Sequence, residues 1–96
     1  MKDKNLQDLY SLFANIRHQR DAELLLADIL TPQELRTVAE RWQLVQALAK
    51  GMKQRDIKKK YKISISKITR GSRMLKGGSG GFMVFLKRLG KVKKNS

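Results

Sequence analysis

One stretch, LTPQEL at residues 30–35, limits the folds open to this chain more than any other. Pro32 is the only proline among 96 residues, and it stands where a proline does a helix no harm. Thr31 fits the N-cap. Pro32 fits the first helical position, where its missing N–H costs nothing. Glu34 falls at the third, from which it can return a bond to the Thr31 amide as a capping box. Leu30 and Leu35 flank this box as a hydrophobic staple. A long helix is expected to start here, with Leu35, Val38, Trp42, Val45 and Ala49 stepping by three and four beside Leu44 and Leu48. Gly51 is expected to end it from the residue past the cap. No second proline opposes helix elsewhere, so the chain reads as all-α.

Two amphipathic segments precede that helix. Leu6, Leu9, Tyr10, Phe13 and Ile16 recur at helical spacing. RDAELLLADIL (20–30) then carries Leu24, Leu25, Leu26, Ile29 and Leu30 on a broad apolar face. Such width suggests burial on two sides, by its own chain and by another. A chain this short buries only a modest core alone, and with no cysteine it has neither disulfides nor thiolate metal sites. A lone histidine, His18, cannot build a metal site either. No run of roughly 18 apolar residues appears, and MKDKNLQDLY has no apolar signal region. A reducing cytoplasm is the expected compartment.

Charge divides the chain sharply. Residues 1–49 hold six Lys/Arg and seven Asp/Glu, a net of −1; residues 50–96 hold sixteen Lys/Arg and one acid, Asp56, a net of +15. Positive charge at this density concentrates phosphate around it. Interleaved with helix-forming apolar positions, it points to nucleic acid. Within this half, Ile57 and Tyr61 share one face of a short helix rich in lysine. Ser64 fits the N-cap of a second, with Ile63 and Ile68 as its staple. The stretch SISKITRGS (64–72) alternates as a strand would, yet the staple and the helical spacing favour helix. Ile65, Ile68 and Leu75 are expected to face inward. Two short helices joined by about three residues in a polycationic segment make a helix-turn-helix. KGGSGG (76–81) is expected to break the second as a flexible hinge. FMVFLKRLG (82–90) follows as a last amphipathic helix, and KVKKNS as a frayed basic tail.

In such a motif the second helix enters the major groove with its N-terminal residues at base edges, while the first crosses the backbone. That places Ser66, Lys67 and Thr69 towards double-stranded DNA, with Gln54, Arg55 and Lys58 near phosphates or a flanking base. Ile65, although also on the apolar stripe, and Lys76 complete the DNA-facing set. Arg can read guanine with two bonds, and Lys and Ser supply phosphate contacts. Lys59 and Lys60 read equally well as a solvated face.

LTPQE opening a long helix, then GMKQRDIK, then ITRGSRMLK, resembles the tryptophan repressor family over about residues 28–76. The resemblance implies an all-helical, intertwined homodimer of single-domain chains. Residues 1–51 would form the dimerisation helices, 53–76 the helix-turn-helix, and 82–96 the C-terminal helix and tail. It also implies a DNA-binding repressor activated by L-tryptophan as corepressor, with no other cofactor, that shuts off genes of tryptophan biosynthesis or salvage. Carried over, Arg41 and Arg70 would sandwich the indole, and Arg70 would also pair with the ligand carboxylate. Thr31 would donate its hydroxyl to that carboxylate, and Leu30 would offer a carbonyl to the ammonium. Gly71 would leave room for the ring. A guanidinium can both stack on an aromatic face and fork onto a carboxylate, so the residue types suit these roles. Read without the family, Arg70 is as well explained as a phosphate contact.

The chain departs from the family pattern at four positions. Met74 stands where the family has a serine that reaches the ammonium. Asp28 replaces an apolar residue, Lys53 a hydroxyl N-cap, and Lys62 the glycine of the turn. Two other readings therefore stand beside the repressor: a regulator of the same fold that senses no amino acid, and a non-specific basic nucleic-acid-binding protein. No nucleophile, paired acid or metal cluster can be assembled, so an enzyme is not expected.

Overall fold

The computed structural model describes residues 3–92. Six helices follow one another, α1 (Lys4–Ala14), α2 (Gln19–Ile29), α3 (Pro32–Ala49), α4 (Gln54–Tyr61), α5 (Ile65–Gly77) and α6 (Gly81–Arg88). Among the described residues there is no strand. The chain divides into two compact units, residues 1–36 and 37–96, with the boundary inside α3.

In the first unit, the Asp3 carboxylate caps α1 by accepting from the Asn5 and Leu6 amides at 2.9 and 3.4 Å. Asp21 accepts from the Arg17 amide ahead of α2. At α3 the expected capping box is present: the Thr31 hydroxyl accepts from the Glu34 amide at 3.1 Å, and the Glu34 carboxylate accepts from the Thr31 amide at 2.9 Å. The Thr31 backbone amide foremost, and the Thr31 side chain after it, hold the Glu34 carboxyl below the usual glutamate range. No residue of α1 or α2 is buried. Leu6, Leu12, Phe13, Leu24 and Ile29 are all exposed, and Leu12, Ile16, Leu24 and Leu25 line a shallow groove with Asp21 and Asp28.

The second unit holds the core. Leu44 and Ala47 of α3 meet Ile57 of α4, Ile63 of the turn and Ile68 of α5, with Leu48, Met52 and Tyr61 packed around them. Gly51, at φ 89°, ends α3 as expected. The Met52 amide reaches the Ala47 carbonyl and the Gly51 amide the Leu48 carbonyl, the paired bonds of a Schellman motif. Two short helices, α4 and α5, are joined by three residues, Lys62–Ser64. The Ser64 hydroxyl caps α5 by accepting from the Lys67 amide, and the staple residues Ile63 and Ile68 are fully buried. Lys62 takes the left-handed turn conformation, φ 55° and ψ 41°, where glycine would be at ease.

Two expectations change. Ile65 does not face inward: Ile68 and Gly71 make the buried contacts, and Ile65, at the first position of α5, stays 46% exposed. The break after α5 is also shorter than KGGSGG. The helix continues through Lys76 and Gly77, because the Gly78 amide still bonds to the Met74 carbonyl. Only Gly78–Gly80 interrupt, with Gly80 at φ 94°. The last helix begins one residue earlier than expected and buries Leu86 completely. It closes with a second Schellman motif, Lys91 amide to Leu86 carbonyl and Gly90 amide to Lys87 carbonyl. The end of the basic tail, residues 93–96, lies outside the described residues.

Candidate ligand cleft and nucleic-acid interface

Two helix stripes face each other in the second unit. On α3, Thr37, Glu40, Arg41 and Leu44 occupy positions i, i+3, i+4 and i+7. On α5, Lys67, Arg70, Gly71 and Met74 do the same. With Phe82 of α6 they line a cleft of about 220 Å³. That is small beside the ~300–1,000 Å³ of drug-sized sites and suits a single amino acid. Phe82 reaches the cleft from a helix that stacks it against Trp42, ring centres 6.2 Å apart.

The two stripes can approach because Gly71 has no side chain. A Cβ there would lie 2.8 Å from Leu44 Cδ2, and Leu44 is only 2% exposed, so it has little room to yield. Gly71 thus sets the spacing between α3 and α5 as well as opening the cleft. Three cations, Arg41, Lys67 and Arg70, outnumber one carboxylate, Glu40. Leu44, Met74 and Phe82 make the apolar side. An aromatic body with an anionic group matches this lining. Among the described residues no cluster of metal-ligating side chains occurs.

Of the residues read from sequence, Arg41, Arg70 and Gly71 come together in this cleft. Leu30 and Thr31 belong to the first unit, where Thr31 caps α3. The eight residues read as DNA-facing, Gln54, Arg55, Lys58, Ile65, Ser66, Lys67, Thr69 and Lys76, are all exposed. They lie on α4 and α5, the two helices of the motif. The Lys67 side chain reaches back to α3, its ammonium 3.0 Å from the Glu40 carboxylate.

Glu40, Thr37 and Phe82 were not singled out from sequence. Glu40 and Thr37 had a usable signal, since each shares a helical face with Arg41 and Leu44. Phe82 had none: it follows a glycine turn whose direction no periodicity encodes.

Comparison with known proteins agrees with this architecture. The family model described as Trp repressor protein matches residues 4–90. A Trp operon repressor homolog of Chlamydia trachomatis serovar L2 is 39% identical over 91% of this chain and 77% of its own length. One of Chlamydia caviae is 40% identical over 85% of this chain and 82% of its own. The crystal structure of a TrpR-like protein from Eubacterium eligens superposes with a TM-score of 0.88 at 24% identity, covering 97% of this chain and 96% of that one, a likeness of fold. Matched along nearly its whole length, the chain belongs to the Trp repressor family, a family of DNA-binding transcriptional regulators and not of enzymes.

Proposed function

We propose that the protein is a homodimeric repressor that binds operator DNA when L-tryptophan occupies the cleft between α3 and α5. The observation that carries this reading is the placing of Arg41 and Arg70, with Leu44, Met74 and Phe82, around one amino-acid-sized cleft walled by the recognition helix. The indole would lie among the guanidinium planes and apolar side chains. Arg70 would pair with the ligand carboxylate.

Because one wall of the cleft is the DNA-reading helix, a ligand that binds better to one setting of α5 shifts the head, the helix-turn-helix of α4 and α5, towards that setting. In a dimer the two heads would then match successive major grooves, roughly 34 Å apart. By reciprocity, DNA would tighten tryptophan binding by the same factor. The uncovered apolar faces of α1 and α2 support the dimer.

Met74 in the cleft, where the family has a hydroxyl, favours one other reading, a same-fold regulator that senses no amino acid. Calorimetric titration of the protein with L-tryptophan, with and without DNA, decides between them. Saturable binding strengthened by DNA is expected. No binding in either state refutes the corepressor reading.

A further inference from the structure

The cleft and the DNA-reading face share one side chain. Among the described residues Glu40 is the one carboxylate lining the cleft, and it is bonded to Lys67 at 3.0 Å. The other ion pairs among the described residues join partners three apart in sequence. This one ties α3 to α5 across 27 residues. It engages a lysine in the first turn of the recognition helix, whose ammonium would otherwise be free for phosphate or a base edge. The cleft offers a ligand N–H few side-chain acceptors. Thr37 has a hydroxyl, Glu40 a carboxylate and Met74 a weakly accepting thioether.

We propose that Glu40 is a shared acceptor that couples the cleft to DNA reading. In the empty cleft its carboxylate holds the Lys67 ammonium. In the filled cleft it accepts an N–H of the ligand, from the ring or from the ammonium, and Lys67 is released towards DNA. This inference rests on the proposed function, since it needs a nitrogen-bearing ligand in that cleft. The exchange is an easy one. The pair is exposed, 60% at Lys67 and 38% at Glu40, and exposed pairs are weakly held. A ligand donor in a partly enclosed cleft competes on favourable terms, because a bond to a carboxylate is among the stronger hydrogen bonds. Glu40 therefore opposes DNA binding when the cleft is empty and favours ligand when it is full.

Glu40→Ala removes the acceptor at a half-buried helical position where alanine is well tolerated, and circular dichroism checks that the helices persist. Without ligand, the variant is expected to bind a mixed-sequence DNA duplex about two- to fivefold more tightly than the parent, the range of an exposed pair. In a Lys67→Ala background the same substitution should give no gain. A gain that persists there would mean general charge repulsion and overturns the coupling. So would weaker DNA binding by Glu40→Ala alone, the result of a merely structural role.

For the ligand, L-tryptophan should bind Glu40→Ala roughly tenfold more weakly, the scale of one hydrogen bond to a charged group. Two analogues locate the donor. 1-Methyl-L-tryptophan lacks the ring N–H, and indole-3-propionate lacks the ammonium. The analogue whose affinity no longer depends on Glu40 has lost the group that Glu40 accepts. Equal L-tryptophan affinity in parent and variant overturns the inference while the proposed function stands. A parent that binds none of the three ligands overturns both.

Discussion

Replacing Arg70 by leucine separates the two roles open to that residue. Leucine keeps bulk and helix propensity, and the Arg70 side chain is exposed, lining the cleft without entering the core. The head should therefore stay folded. As a ligand residue, Arg70 supplies a charge-assisted bond to a carboxylate, about 1.5–3 kcal/mol. It also supplies a cation–π face, about 0.5–1 kcal/mol where exposed. Solvent reaches this side chain, so the lower end of each range applies, near 2 kcal/mol together. At about 1.4 kcal/mol per tenfold, tryptophan affinity should fall roughly thirtyfold. Titration calorimetry with L-tryptophan in the absence of DNA measures this directly. Residual DNA binding by the variant should no longer respond to tryptophan. Arg41→Ala should act in the same direction more weakly, losing stacking but no carboxylate bond. If Arg70→Leu binds free tryptophan as the parent does and loses only DNA affinity, Arg70 is a phosphate contact and the ligand assignment is wrong.

Light scattering at micromolar concentration should give twice the chain mass of 11.0 kDa, because α1 and α2 leave their apolar faces uncovered; a folded monomer there refutes the dimer. DNA affinity should fall steeply with salt, as expected where many cations meet phosphates. Lys67→Ala should change base preference while Lys60→Ala weakens all sequences alike, and uniform weakening by both would remove Lys67 from the reading set. Gly71→Ala sets an overpacking cost of ~1–3 kcal/mol against Leu44 against a helix-propensity gain of ~1 kcal/mol. A net loss near 1 kcal/mol would lower the melting temperature by about 4–8 °C, and a melting temperature equal to the parent's or higher would show that Leu44 gives way freely.

What could be read from the sequence was what neighbouring residues decide among themselves. The capping box of Thr31 and Glu34, the glycine stop at Gly51 and the Ile63–Ile68 staple each involve residues within five positions, and each is present. Ile65 departs from its expected inward face because periodicity assigns a face but not how far along the helix the core extends. The break after α5 is shorter than the glycines suggest because glycine weakens a helix without forbidding it. Arg41 and Arg70 were identified through family motifs, and helical spacing then accounts for Thr37, Glu40 and Met74 beside them. Phe82 was beyond reach, since its place depends on the chain direction set at Gly80. The Glu40–Lys67 pair was equally hidden, because it forms between surface residues of two helices whose packing only the folded chain determines.

The stack of Trp42 on Phe82 gives this molecule an optical gauge of its own state. Trp42 is the single indole in the chain, and it touches a residue that lines the cleft. Indole emission follows the polarity and freedom of its surroundings, so a cleft that fills and moves Phe82 must alter the light from Trp42. A tryptophan ligand would add a second indole to the signal, yet polarisation sorts the two. The protein's fluorophore turns slowly with the whole chain, a free ligand turns fast, and a bound ligand passes from the second population to the first. Occupancy of the cleft and the response of the head can thus be followed in one cuvette, without a label.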